Sequence, residues 1–454
     1  MTENTTVGRR PLLMAAAATV GALLVPTPAY AAQQTPAPAP AQPDGQDLVR
    51  ALDRAAHPLR STAPGPDMAD LRPLGTMIGN ATVVGLGEAT HGSHEFFTLK
   101  ERVFRYLVEE KGFTTFALEI GWPSGLLIDD YIQSGRGDAR QVVQQALGGS
   151  PFGREEFLHL VEWMRDHNRR RPGQRVHFMG DDIAAPRMGD EFFQRVTGYV
   201  GRTYPQLLAR FTELYTGLRP LDDVFAYLKQ VPQADRQRLA ANAQQALDLL
   251  AGQPGAGGEE FEWTVQHARS IAQTAAFLAH DLGNPAEVTA AELYRDQLMA
   301  DNIIWWQRHT GHRMMLSAHD QHVSYVTAQP EEYPKMQGAF LRDTLGSAYL
   351  AIGTTFDQGS FLSEAQSLDG SWQKYTADAA PSGSNEYTLA QVRYPDFYLD
   401  TRNAPAPARA WLRTARPTRQ IGTQYPCPLE DVALGLSFDL LVHLHQVREA
   451  DLLR

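Results

Sequence analysis

Glu88 and His91 stand three residues apart in TVVGLGEATHGSHEF (residues 82–96), between an apolar β-branched run and a helical repeat. A carboxylate that close to an imidazole can orient the ring and stabilise its protonated form, which is the equipment of general acid–base chemistry. The run Thr82 to Leu86 reads as a buried strand, and Phe96 to Glu109 repeats apolar residues at helical spacing. Gly85 and Gly87 are expected to let the backbone turn sharply between them. The pair therefore leaves the carboxyl end of a strand, where open α/β sheets bind their ligands.

Two further segments repeat the pattern. RMMLSAHDQHVSY (residues 313–325) runs an apolar strand into a turn carrying His319 and His322, and the run Thr114 to Ile120 carries Glu119 at its end. Three strands ending in these residues converge on one crevice if they are neighbours in a sheet. Two histidines with Glu88 and Glu119 also make a possible donor set for zinc. HEXXH is absent, however, and the His319 turn lies between strand and loop, so the reading is of a site without metal or cofactor. His94, on the first turn of the next helix, is a candidate pocket residue. Ser93 lacks the G-x-S-x-G elbow of a serine nucleophile. Asp181 and Asp182 end another strand and are candidates for substrate hydroxyls or for capping, while Arg295, Asp296 and Asn302 share a long helix and are expected in supporting salt bridges.

With these residues in place, the sequence resembles the erythromycin esterase family. The matching stretches are GEATHGSHEFFTLKERVFRYLVEEKGFTTFALEIGW, HFMGDDI, AAELYRDQLMADNIIWW and SAHDQHVSY, in a span from about residue 48 to the C-terminus. The resemblance implies that His91 activates a water that opens a macrolide lactone. It assigns the family's first-motif Glu to Glu88, the Glu ending the next strand to Glu119, and the late histidine pair to His319 and His322. An Arg of characterised members falls by spacing on Lys100, which keeps the charge and loses the two-pronged donor. His319 and Lys100 are then expected at the developing oxyanion, with His94, His322, Asp182 and Lys100 toward substrate. Two alternatives stay open: a hydrolase or transferase of the same fold working on another natural product or a cell-envelope ester, and a secreted binding protein without activity.

The elements that must position this chemistry form an α/β fold, a central and mostly parallel sheet flanked by helices. Strands are predicted at Thr82–Leu86, Thr114–Ile120, Arg175–Met179, Arg313–Ser317, Ala348–Thr354, Phe397–Asp400 and inside Phe438–Leu444. From Arg187 to His309 the pattern is almost wholly helical, which reads as a helical insertion forming a lid or wall over the cleft. QPGAGGEE and DGSWQKY read as surface loops by composition.

Residues 1–31 read as an export signal: Arg9 and Arg10 precede an apolar run and Ala29-Tyr30-Ala31 offers a cleavage site, in a twin-arginine-like arrangement. The apolar run is too short for a stable membrane anchor. Residues 32–46 read as a Pro/Ala-rich linker, with the α/β domain over 47–454. Formal charge is −11, and −12 once residues 1–31 are gone with Arg9, Arg10 and Glu3, which speaks against a nucleic-acid partner. Cys427, the single cysteine, rules out an internal disulfide framework.

Overall fold

The computed structural model describes residues 45–253, 257–365 and 371–453. The export segment, and the linker up to residue 44, lie outside the described residues; Gly45 and Gln46, expected in the linker, open a helix at Gly45–Ala55. The strands are β1 (His57–Pro58), β2 (Val83–Leu86), β3 (Thr115–Gly121), β4 (His177–Asp182), β5 (Met314–Ser317), β6 (Tyr349–Glu364), β7 (Trp372–Ala377), β8 (Phe397–Asp400), β9 (Arg416–Thr418), β10 (Glu430–Val432) and β11 (Leu440–Val447).

Nine of them form one sheet in the order β1-β8-β11-β6-β2-β5-β3-β4, with β7 paired to β6. The six from β11 to β4 run parallel, and β1, β7 and β8 are antiparallel additions. β5 lies between β2 and β3, the neighbour relation that convergence of the three motifs requires. Val83, Met314 and Thr115 are in register at one end, and Leu86, Ser317 and Leu118 at the other.

Alternation along each strand buries both faces, as a parallel sheet demands. Val83, Ala117, Met314 and Leu316 pack into one core with Phe192, Val196, Ile271 and Ile303. Val84, Phe116, Leu118 and Met315 pack into the other with Phe97, Val103, Phe157 and Val161. The first face is thus covered by the long helical stretch, in which helices run from Asp190–Thr203 through Glu259–Leu278 to Pro285–Thr310. The second is covered by His94–Lys111 and Glu155–Arg170.

Two readings of loop are corrected. Most of DGSWQKY is strand β7, an edge strand whose outward residues are polar, so it carries no apolar alternation to read. In QPGAGGEE, Glu259 and Glu260 begin a helix. β6 also continues ten residues past Thr354, because pairing to β11 and then β7 supplies its backbone partners where side-chain periodicity stops.

Gly125, in the helix Trp122–Ser134, lies against the backbone of Met179 and Gly180 in β4, where an added Cβ has no room and only backbone to displace. Gly125→Ala is expected to lift this helix off the sheet and lower stability by about 1–3 kcal/mol, read as a shift in the urea midpoint at unchanged m-value.

Candidate active site

The crevice is assembled by strand ends. Glu88 follows β2 by two residues, Glu119 lies within β3 just past Leu118, and His319 follows β5 by two. Gly85 and Gly87 do not take the left-handed conformation that a sharp turn would need. They are glycines because neighbours come close: a Cβ on Gly85 would meet the Tyr349 hydroxyl, and one on Gly87 the Asp320 carboxylate. Asp320 in turn accepts from the Thr354 amide at 3.0 Å and hydroxyl at 3.1 Å, pinning the turn after β5 to β6.

His91 is buried and bonded through Nδ1 to Glu88 Oε1 at 2.9 Å. A carboxylate accepts, so Nδ1 carries the proton and Nε2 keeps its lone pair. Burial pulls the imidazole down to about 4, against the opposing pull of the Glu119 carboxylate, so the ring is neutral near pH 7. The other oxygen of Glu88 contacts Lys100 Nζ, which also donates to Ser317 Oγ at 3.0 Å and to the Ala318 carbonyl at 3.2 Å. Three ammonium hydrogens thus meet three acceptors. Burial lowers the Lys100 ammonium to about 7, with Asp320 and Glu119 opposing. The expectation that Lys100 meets substrate or an oxyanion is corrected: it is 1 % exposed and lies beneath Glu88.

His319 lies beside His91, ring centroids 5.1 Å apart. Its Nδ1 accepts from the Gln321 amide at 3.3 Å, which puts its proton on Nε2, and Nε2 has no protein partner. Burial, and then His91 nearby, hold its pKa well down, so this ring is neutral too. His322 differs: Nδ1 lies 2.8 Å from Asp296 and Nε2 3.3 Å from Glu119. Burial opposes its charge, but the two carboxylates prevail and hold it as an imidazolium. With both nitrogens committed, it supports Glu119 rather than touching substrate, contrary to expectation.

Glu119 Oε2 accepts from the His319 backbone amide at 2.9 Å, and Oε1 from Arg295 Nη2 at 3.1 Å. Burial would raise its pKa, but the charges of His322 and Arg295 overcome that and keep it ionised. Arg295 reaches from the helix Pro285–Thr310 to grip Asp182 through Nε at 3.0 Å and Nη2 at 2.6 Å. Asp182 therefore caps no helix; it anchors Arg295 and lines the cavity. Asp181 accepts from Gln337 at 2.6 Å, and burial, with Asp182 adjacent, raises its pKa well above the carboxylate range.

A cavity of about 110 Å³ opens onto His91, Glu119, Asp182 and Arg295, with Phe152, Phe225 and Trp372 as its aromatic walls. Neither these aromatics nor Glu364 and Thr423, also on the wall, carried a signal in the sequence, because single residues in loops, in a polar hairpin and, for Phe225, in a short helix stand out from no periodic pattern. His94 is not on this wall. Its Nδ1 lies 2.6 Å from Glu156 Oε1 and 2.8 Å from Arg448 Nη2, so its place is in an ion network with the C-terminal segment. Among the described residues, His94, Glu156 and Asp451 are the one set with ligand atoms close enough for a metal ion, and Arg448 occupies that network with its own charge. No helix among the described residues is long and apolar enough to cross a membrane.

The sequence profile of the erythromycin esterase family matches residues 108–447. The chain is 22 % identical to the erythromycin esterase type II of Escherichia coli over 77 % of its own length and 87 % of that protein. Among solved structures, a succinoglycan biosynthesis protein is 30 % identical with a TM-score of 0.80, covering 91 % of this chain and 100 % of that one. An erythromycin esterase mutant in its open conformation is 16 % identical with a TM-score of 0.66, over 86 % of this chain and 96 % of that one, and shares the fold. A profile match over three quarters of the sequence, which takes in β3 and β5 of this site and begins after β2, makes the chain a member of the erythromycin esterase family.

Proposed function

We propose that the protein hydrolyses an ester with His91 as general base on water, the reading that family membership suggests. The observation that carries it is the pairing of two neutral histidines in opposite tautomers: His91 with a free Nε2 lone pair, His319 with a free Nε2–H. His91 takes a proton from water as the oxygen attacks the ester carbonyl. The tetrahedral oxyanion is met by the His319 Nε2–H. Collapse breaks the carbon–oxygen bond, and the imidazolium of His91 returns the proton to the leaving alkoxide, giving acid and alcohol. Glu88 fixes the His91 tautomer and stabilises the transient imidazolium, Lys100 holds Glu88, and Glu119 fixes the His319 backbone.

Macrolide lactones are the first substrate class to test, given the relatives. The cavity supports a second reading. At about 110 Å³ it is well below the roughly 300–1,000 Å³ of pockets that enclose drug-sized ligands, a volume suited to the acyl end of a smaller natural-product or cell-envelope ester. Export, resting on Arg9, Arg10 and the Ala29-Tyr30-Ala31 site, belongs to the same proposal and would put the enzyme where either substrate is met.

His91→Ala is expected to lower kcat by about 10² to 10⁴ with an unchanged melting temperature, and retention of a tenth of the activity removes His91 as base. The base acts when neutral, so the wild-type rate should fall only as pH drops toward about 4. Glu88→Gln removes the carboxylate that favours the imidazolium and leaves Lys100 as an uncompensated cation, so both effects should move this acidic limb to lower pH. An acidic limb that stays put would separate Glu88 from His91. Exhaustive chelation should leave activity within about twofold of untreated enzyme, since the His91 Nε2 lone pair that takes the proton from water cannot at the same time be held by a metal ion. Loss on chelation with recovery on adding zinc would recast the histidines as ligands.

A further inference from the structure

Among the described residues, every phenylalanine and tryptophan but two packs into or against one of the two cores. The exceptions are Phe225 and Trp372. Both are only partly buried, and both line the cavity that holds His91. A lone aromatic left outside a core is ordinary on a protein surface. Two from separate elements, brought to one cavity beside a base, mark a place where a ligand covers them. Phe225 belongs to the short helix Val224–Gln230, where Val224, Tyr227 and Leu228 face the first core at helical spacing and Phe225, one position on from Val224, leaves it. The backbone there is tied to the cavity wall: the Val224 amide donates to the Pro186 carbonyl at 3.0 Å, and Asp223 caps the helix through the Ala226 amide at 2.9 Å. Trp372 opens β7, opposite Glu364 in the pairing to β6. One face of its ring is covered by the Arg154 guanidinium, 4.5 Å from the ring centroid, and its indole nitrogen is buried, so carbon is what the ring turns to the cavity. Phe152, perpendicular to the His91 ring with centroids 5.6 Å apart, continues the apolar wall up to the base.

We propose that Phe225 and Trp372 are specificity residues that receive a flat apolar ring of the substrate, so that the ester hydrolysed carries an aromatic group next to the ester bond. Any apolar group that covers the two side chains removes their carbon from water. An aromatic ring does more: it is thin enough to lie along a wall in a cavity of about 110 Å³, and its quadrupole pairs with those of the two rings in offset or edge-to-face contact. A cyclohexyl ring has the same carbon count and is as apolar, but it is thicker and has no such quadrupole. The difference between the two rings becomes discrimination. The inference rests on the cavity at His91 being the substrate site.

The test separates binding from turnover. Acetophenone and cyclohexyl methyl ketone carry the carbonyl but no ester bond, so their dissociation constants, read by ligand-observed NMR titration of the full chain, report the site without chemistry. Acetophenone should bind about threefold to tenfold tighter, which is what an aromatic contact adds beyond its area. Phe225→Leu and Trp372→Leu, which stay apolar and lose the ring, should each bring this ratio toward one. Phe225→Tyr and Trp372→Phe should keep most of it, and matching thermal melts show that the variants fold. Equal binding of the two ketones by wild type, no binding of either, or a ratio that both Leu variants leave unchanged overturns the proposal. In the kinetic arm, the kcat/KM ratios of methyl benzoate to methyl cyclohexanecarboxylate and of phenyl acetate to cyclohexyl acetate are compared between wild type and each variant, so that intrinsic reactivity cancels. One of the two ratios should fall about threefold or more in both Leu variants, and which one falls assigns the ring to the acid or to the alcohol. Leu variants that slow both members of each pair equally overturn the proposal as well. Hydrolysis that depends on neither ring leaves the esterase reading standing and refutes the aromatic subsite. Ring-dependent ketone binding by a protein that hydrolyses none of the four esters upholds the subsite and refutes the esterase reading instead.

Discussion

The salt bridge of Arg295 to Asp182 and Glu119 holds the halves of this site together. It joins the last helix of the long helical stretch to the ends of β4 and β3, with Nη2 at 2.6 Å from Asp182 and 3.1 Å from Glu119. Burial disfavours the guanidinium, and Asp182, Glu292 and Glu119 together keep its charge. Ion pairs at such depth add little net stability, but breaking one leaves charges stranded at a cost of roughly 3–5 kcal/mol. What the bridge contributes is position. Without it Glu119 loses a donor on the oxygen opposite the one that fixes the His319 backbone, and the helix loses its grip on Asp182, keeping Asn302 on the Asp181 carbonyl as a tie to β4.

Sheet order sets the rest. β5 enters between β2 and β3 only after the chain has left the sheet at β4 and run through the whole helical stretch between Asp182 and Met314. The consequence is that residues 88, 119 and 319, remote in sequence, sit on three adjacent strands. Close packing then does the fine placement: Gly87 lets Asp320 against β2, and Asp320 holds β6 at Thr354. A long crossover covered by helices is also what closes one face of the sheet, so core and site are built by the same connection.

The parts legible in the sequence were those with a period. β2, β3, β4, β5, β8 and β11 announced themselves by apolar runs, and the helical stretch by its repeats. The convergence of Glu88, His91, Glu119 and His319 followed from strand ends alone. What failed had no periodic trace. β7 is a polar edge strand, and the second half of β6 is held by backbone pairing. The resemblance puts Lys100 toward substrate and spacing from the first motif does the same for His94, yet spacing on a helix fixes the face a residue occupies and says nothing of depth. Lys100 points into the sheet to meet Glu88, whereas His94, at the exposed start of the same helix, meets Glu156 and Arg448.

Three histidines gathered at these strand ends, of which His91 lines the cavity, end in three different states, and the partner of each decides which. Glu88 takes the Nδ1 proton of His91 and leaves a base. A backbone amide donates to Nδ1 of His319 and leaves a donor. Asp296 and Glu119 flank His322 and leave a cation. Imidazole alone has no such preference near neutral pH. The assignment is therefore encoded in the neighbours, and two of the three choices depend on groups fixed by the turn after β5: the Gln321 amide and the reach of His322 to the helix that carries Asp296. This is why His319 and His322, three residues apart on that turn, perform opposite tasks. A change that moved the turn by one residue would leave every side chain present and exchange a donor for a charge, so the chemistry lies in the register of this short segment as much as in its residues.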